Sequence, residues 1–155
     1  MLFRSELIVY SAIHLAIAVD LDFEGLVAPV IRDAANLNVT ELASRIQLLA
    51  DAAKFGKLVA DDLRGGTYTL SNPGPFGTLF TAPIINQPQV AILSMDAVKK
   101  RPVVIESNTG DTIEIRPVGI LAHSFDHRAF DGAYSAAFLK RLKTVIEKTD
   151  WTKEL

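Results

Sequence analysis

The sequence has no cysteine, one tryptophan, two methionines and few aromatic residues, 8% in all. Without cysteine there is no disulfide framework, no thiolate metal site and no cysteine nucleophile, which fits a reducing compartment. Neither sign of charge predominates: 16 basic against 18 acidic side chains leave a net charge of −2, and the one basic cluster is Lys99-Lys100-Arg101. That balance offers no electrostatic footprint for nucleic acid or for an anionic membrane surface. Nor is there an apolar run of the ~20 residues that crossing a bilayer takes. One stretch imitates a targeting segment, Leu7 to Val19 behind Arg4. Glu6 spoils its charged end, His14 interrupts it and no convincing cleavage site follows, so it is read as buried strand. Internal repeats and low-complexity linkers are missing too. What is there is 155 residues, 49% hydrophobic and 22% charged, which suits one globular domain with a core of its own.

Within that domain, periods of two and of 3.6 alternate irregularly. The pattern predicts a mixed sheet with helices packed on one face, an α+β two-layer sandwich, rather than strict βαβ units. Residues 13–19 set Ile13, Leu15, Ile17 and Val19 against His14, Ala16 and Ala18. Leu26 to Ile31 returns as a second strand, with Pro29 favouring a sheet edge. Asn38 and Glu41 form a capping-box pattern for a helix over Val39–Phe55, with Gly56 just past its end. Gly65-Gly66 turns into a strand, Thr67 to Ser71, with Tyr68 and Leu70 on one face and the hydroxyls of Thr67, Thr69 and Ser71 on the other. Val90 to Leu93 is wholly apolar and reads as a central strand. Pro102–Glu106 and Thr112–Arg116 flank Ser107–Asp111 as a hairpin. Val118 to Ala122 is a further buried strand, and Asp131 is a good N-cap for a helix over Gly132–Lys148. Trp151 and the tail to Leu155 either dock on a neighbour or fray.

His127 thus sits where a strand hands over to a helix, a place where loops on a rigid frame carry function. By residue type alone the bland readings prevail: a lone histidine there is usually structural, and a row of hydroxyls is usually an exposed strand face. The wording of several runs changes that. Phe125-Asp126-His127-Arg128, then Asp131-Gly132-Ala133, closely resembles the His-x-x-x-Asp-Gly signature of dihydrolipoamide acyltransferases. These are the acyltransferase components of 2-oxo acid dehydrogenase complexes, built on the chloramphenicol acetyltransferase-like fold. Peptide-synthetase condensation domains share the outline but usually carry a second histidine just before the catalytic one, where this chain has Asp126. The run from Gly56-Lys57-Leu58 through Gly65-Gly66-Thr67-Tyr68-Thr69-Leu70-Ser71-Asn72, and that from Pro83-Ile84-Ile85-Asn86 to Leu93, are similar to the family's as well. The strand pair near Ile13 and Leu26–Ile31 completes the order. Together they cover roughly Ile13 to Ile146. Family domains have a further strand and helix upstream, so the resemblance implies one partial catalytic domain over residues 1–155, with no lipoyl or subunit-binding domain.

The resemblance implies transfer of an acyl group between coenzyme A and a dihydrolipoyl thiol carried on a separate domain or protein, without metal. It makes His127 the general base, Ser71 the hydrogen-bond donor to the oxyanion, and Asp131 the residue that keeps the His-bearing turn in shape. It implies a homotrimer, with histidine and serine meeting across a subunit interface, inside a larger symmetric core alongside the lipoyl domain and the other complex components. The setting would be the cytoplasm, or the mitochondrial matrix in a eukaryote. A thiol of pKa ~8.5 facing an imidazole of pKa ~6.5 is mismatched by only ~2.7 kcal/mol, so no serine elbow is needed. Two alternatives stand beside this: a non-catalytic oligomeric scaffold, and acetylation of a small hydroxyl compound from acetyl-coenzyme A. Two positions depart from the family pattern. Ser94-Met95 replaces the usual glycine, and His123 replaces an apolar residue, as a satisfied core histidine or as a perturbation of the site. Lys99-Lys100-Arg101 reads as a solvated strand lead-in, with coenzyme A phosphates as the other use.

Overall fold

The computed structural model describes residues 2–3 and 6–154, with side chains from Glu6 onward; Arg4 and Leu155 lie outside the described residues. A short antiparallel ribbon, β1 (Leu2–Phe3) with β2 (Glu6–Leu7), opens the chain. Then follow β3 (Leu15–Ile17), β4 (Val19–Asp20), β5 (Leu26–Val27), β6 (Val30–Ile31), helix α1 (Val39–Lys54), β7 (Tyr68–Ser71) and β8 (Ala91–Met95). The last elements are β9 (Lys99–Ile105), β10 (Thr112–Val118), β11 (Leu121–Phe125) and helix α2 (Gly132–Lys148).

Five strands form the main sheet in the order β11-β8-β7-β3-β6. Its interior pairs, β8 with β7 and β7 with β3, are parallel, and the edge strands β11 and β6 run antiparallel to their neighbours. This is the expected mixed sheet. β8 lies inside it with four of five residues buried, as strands covered on both faces must be. Register sorts the side chains. Ser71, Ser94 and Ala122 stand abreast, as do Thr69, Ile92 and Ser124, on one face. The other face carries Tyr68 and His123, whose rings meet Phe138 of α2 at centroid distances of 6.2 and 5.3 Å. α1 lies against β4 and β6, and its Leu48 and Leu49 line a cleft with Ile31, which pairs with Leu15 in the row of Tyr68. Both helices therefore cover the same face.

Local sequence explains the helix bounds. Glu41 N–H donates to Asn38 Oδ1 (2.8 Å) while Asn38 N–H donates to Glu41 Oε2 (2.9 Å), closing the capping box and satisfying two free amides. Gly56, with φ +64°, ends α1 in the left-handed region that glycine enters without steric cost. In the turn before β7, a Cβ on Gly66 would lie 2.8 Å from Gln89 Nε2 and 3.2 Å from Ala16 Cβ, so a larger residue would have to displace the Gln89 side chain and crowd Ala16.

Several expected strands are redrawn. Leu7 to Val19 is not one buried strand: Val9 is 83% exposed and Ile13 51%. Pairing starts only at Leu15, because the backbone of Ile13 and His14 turns to other partners. His14 N–H donates to Thr67 Oγ1 and Ile13 C=O accepts from Ala34 N–H. Leu26 to Ile31 breaks at Ala28-Pro29, where proline lacks a donor, into β5 paired with β4 and β6 on the sheet edge. The edge position fits Pro29. Val118 belongs to β10, and the strand expected over Val118–Ala122 runs instead from Leu121 to Phe125, in register with β8. The hairpin extends back to Lys99, so the basic cluster is part of β9, opposite Arg116, Pro117 and Val118. Trp151 docks on its own chain, its indole N–H donating to Ile146 C=O at 3.0 Å.

The buried apolar core is thin and made of small residues such as Ala16, Ala34, Ala53, Ala91 and Ala122, with Val30, Ile31, Ile92 and Leu93. Large apolar side chains of both helices, among them Leu48, Tyr134 and Ile146, stay exposed. The accessible surface is 11088 Å² for 16.9 kDa. A folded monomer of that mass presents ~7,700 Å².

Candidate active site

His127 lies two residues beyond β11, in the turn that links the sheet edge to α2, and its side chain is exposed. The ladder carries one step past the strand, Asp126 N–H donating to Val90 C=O at 2.7 Å. Asp126 then builds the turn. Its Oδ1 accepts from the Arg128 backbone amide (3.0 Å) and from Nε (2.9 Å), and its Oδ2 from Nη2 (2.7 Å). The Arg128 guanidinium holds the Asp126 carboxyl down at about 2, so the pair is ionised throughout the neutral range. At the far end Asp131 caps α2, Oδ1 accepting from Tyr134 N–H at 2.8 Å. The imidazole of His127 rests against the Phe125 ring, centroids 5.5 Å apart. Asp126 and Asp131 thus fix the backbone on both sides of His127 and leave its ring open to a reactant.

Ser71 ends β7 on the face away from the helices. It lines a cleft of about 690 Å³ together with Thr69, Thr81, Asn86, Leu26 and Ile92. Among the lining residues none is cationic. The chain does not bring Ser71 to His127. Ser71 is level with Ala122 across β8, five residues before His127. Five residues along a strand and two strands across separate them by roughly 15–20 Å. Asp131 stays with His127; Ser71 stands apart from both.

His123, the departure from an apolar position, faces α2. Nδ1 is 2.7 Å from Ser135 Oγ, whereas Nε2 is buried without a hydrogen-bond partner among the described residues. Burial pushes its pKa below the ordinary histidine value. It stacks in a ring cluster with Tyr68, Phe125, Phe130 and Phe138. The core reading therefore holds at one nitrogen and not at the other.

Sequence reasoning missed the polar wall behind Ser71. Thr69 Oγ1 donates to Gln89 Oε1 at 2.6 Å, and Thr81 Oγ1 to Asp96 Oδ1 at 2.7 Å. Asp96 Oδ2 accepts from Thr81 N–H at 3.1 Å. Asp96 is 1% exposed and Ser94 fully buried, and Ser94 Oγ donates to Thr81 C=O at 3.2 Å. The unusual Ser94 was the available signal: in place of glycine's hydrogen it puts a hydroxyl that ties the segment at Thr81 to β8. Among the described residues no group of three or more histidine, cysteine or acidic side chains could hold a metal ion. No helix among them is long and apolar enough to cross a membrane.

Known proteins resemble the chain in sequence and in fold. The dihydrolipoyllysine-residue succinyltransferase component of the 2-oxoglutarate dehydrogenase complex of Buchnera aphidicola is 42% identical over 144 residues, 93% of this chain and 34% of that protein. The chain therefore spans about a third of the length of this curated relative. A probable dihydrolipoamide acetyltransferase from Listeria monocytogenes superposes with a TM-score of 0.88 at 35% identity, over 95% of this chain and 61% of that one. The cubic core of the pyruvate dehydrogenase multienzyme complex superposes with a TM-score of 0.82 at 34% identity, over 90% of this chain and 55% of its own. Residues 3–152 match the family of 2-oxoacid dehydrogenases acyltransferase (catalytic domain), which carries the match past both ends of the region from Ile13 to Ile146. The fold, the open histidine on its clamped turn and these matches lead to one assignment: this chain belongs to the family of 2-oxoacid dehydrogenase acyltransferase catalytic domains.

Proposed function

We propose that residues 1–155 form one partial acyltransferase catalytic domain that moves an acyl group between coenzyme A and a dihydrolipoyl thiol carried on a separate domain or protein. The observation that carries this reading is His127, solvent-open on a turn whose two flanks are fixed by Asp126–Arg128 and by the Asp131 cap. His127 takes the proton of the attacking thiol, and the thiolate adds to the thioester carbonyl. The oxyanion accepts a hydrogen bond from the Ser71 hydroxyl. When the intermediate collapses, the departing thiolate takes the proton back from the imidazolium. Atoms and charge balance over the cycle, and no metal is called for.

The separation of roughly 15–20 Å between His127 and Ser71 makes each half of this machinery useless within one copy. We infer that a second copy supplies the other half, in a trimer that builds a larger core for the lipoyl domain and the other complex components, in the cytoplasm or the mitochondrial matrix. The surplus of ~3,400 Å² over a monomer's surface is of the size that obligate interfaces bury.

The test is acyl transfer from acyl-coenzyme A to free dihydrolipoamide, with His127→Ala and Ser71→Ala assembled separately and together. His127→Ala is expected to lose ~10²–10⁴ in rate. Mixing the two inactive variants before assembly restores a fraction of the wild-type rate, because some interfaces pair a wild-type histidine with a wild-type serine. A monomer that transfers acyl groups at full rate overturns the shared site. A folded wild type with no activity above buffer leaves the scaffold reading instead.

A further inference from the structure

The cleft that holds Ser71 has a wall with an unusual bias, and the bias bears on which acyl group it takes. The hydroxyls of Thr69 and Thr81 both spend their protons inward, on Gln89 Oε1 and Asp96 Oδ1. Toward the cleft each can therefore only accept a hydrogen bond. Behind Thr81 stands Asp96, the one acidic side chain among the described residues classed as buried. Burial by itself works to raise its pKa, but the hydrogen bonds it accepts, the Thr81 hydroxyl and amide among them, outweigh burial and leave the carboxyl below the usual range. Asp96 takes part in none of the described residues' salt bridges, and no cationic residue lines the cleft. Its negative charge is thus felt through the thickness of one threonine. Among the described residues, the side-chain donors left on the wall are Ser71, which the proposed reaction commits to the oxyanion, and the Asn86 amide.

We propose that this wall selects a short uncharged acyl group and turns away one that ends in a carboxylate, such as succinyl. A carboxylate can only accept hydrogen bonds, so it would meet acceptor-only hydroxyls and a fixed like charge. A neutral acyl chain meets Leu26, Ala82, Ile84 and Ile92 and loses nothing to the wall. The inference rests on the acyl-transfer reading and adds its substrate class. It sets the chain apart from succinyltransferase relatives that are 41% to 45% identical to it.

The experiment compares kcat/KM for acetyl-, isobutyryl- and succinyl-coenzyme A in wild type and in Asp96→Asn, with dihydrolipoamide as acceptor. A like charge some 7–10 Å away, at an effective dielectric near 20, is worth roughly 15- to 50-fold. The wild type is expected to prefer the neutral thioesters by at least about tenfold, and Asp96→Asn to raise kcat/KM for succinyl by about tenfold with the neutral ones within about threefold. Succinyl transfer by the wild type on a par with acetyl overturns the proposal. So does a loss on all three thioesters alike together with a lower melting temperature, which would make Asp96 only a pin for the loop at Thr81. If no thioester turns over, the acyl-transfer reading fails, and the wild type's dissociation constants for succinyl- and butyryl-coenzyme A then decide. Weaker succinyl binding upholds the selectivity; equal binding, or none, overturns it too.

Discussion

His127 and Ser71 are held in opposite ways. The histidine turn is built from contacts between residues two or three apart: Asp126 with Arg128, Asp131 with Tyr134. His127 and Arg128 are exposed, and what ties the turn to the sheet is the last ladder bond to Val90 and the contacts of His127 and Phe130 with Phe125. Ser71 has no comparable local support. Its place comes from β7 lying in parallel register between β3 and β8, and its neighbours Thr81, Ser94 and Asp96 come from segments ten or more residues away. A local turn can be offered to a partner subunit and still keep its shape. A wall assembled across a sheet can shape a cleft, and it costs more to disturb. The proposed general base and oxyanion donor accordingly sit on two kinds of support that suit their tasks.

After His127→Ala itself, the largest effect expected from this contrast is at Ser71. Ser71→Ala removes one oxyanion donor without touching strand register, so kcat should fall by ~10²–10³ while KM and the melting curve stay near wild type. A rate equal to wild type would make the hydroxyl row a mere strand face, and the comparison would lose its second half. At the histidine turn the expected signature differs. Asp131→Ala deletes an N-cap worth ~1 kcal/mol, which in a domain of this size lowers Tm by about 2–4 °C, and activity falls with it as the turn loosens. Asp131→Asn keeps an accepting oxygen and should recover most of both. Recovery of stability without activity would give Asp131 a task beyond the cap.

How much of this was legible in the sequence follows the same division. The capping box at Asn38, the cap at Asp131, both helices and the central strand at Val90–Leu93 are local patterns, and all appear in the structure within a residue or two. The run from Leu7 to Val19 misled because period-two alternation shows only that a strand is feasible. Whether a strand forms depends on distant backbone partners such as Thr67 and Ala34, which take up His14 and Ile13. The start of β11 was misplaced for the same reason, since its register with β8 decides it. At the candidate site, the family-like wording nominated His127, Asp131 and Ser71. It passed over Thr81 and Asp96, because no spacing announces a hydrogen bond between a loop and the end of a strand. The departure at Ser94 pointed to the right neighbourhood without saying what the hydroxyl would do.

The smallest expected effect concerns His123, which belongs to neither support and tests whether the face under α2 is independent of both. Its pKa is lowered by burial, so the folded chain resists protonating it while the unfolded chain takes the proton near the ordinary value of ~6.5. The unfolded state then binds more protons, and stability falls as pH drops through that range. The loss stops once pH passes below the folded-state pKa. Asp126 behaves otherwise: its carboxyl, held at about 2 by Arg128, adds stability that is complete above ~4 and is lost only as pH falls toward 2. Melting temperature measured from pH 7.5 to 5 should therefore decline in wild type and be flatter in His123→Leu, while Arg128→Gln melts lower with the wild-type slope there and closes the gap only below pH 4. Turnover of His123→Leu at pH 7.5 should stay within about threefold of wild type, because the ring faces Ser135 and the aromatic cluster rather than the turn's open side. A large loss of turnover with an unchanged melting curve would show that His123 reaches the reaction electrostatically, and the helix-covered face would then join the site.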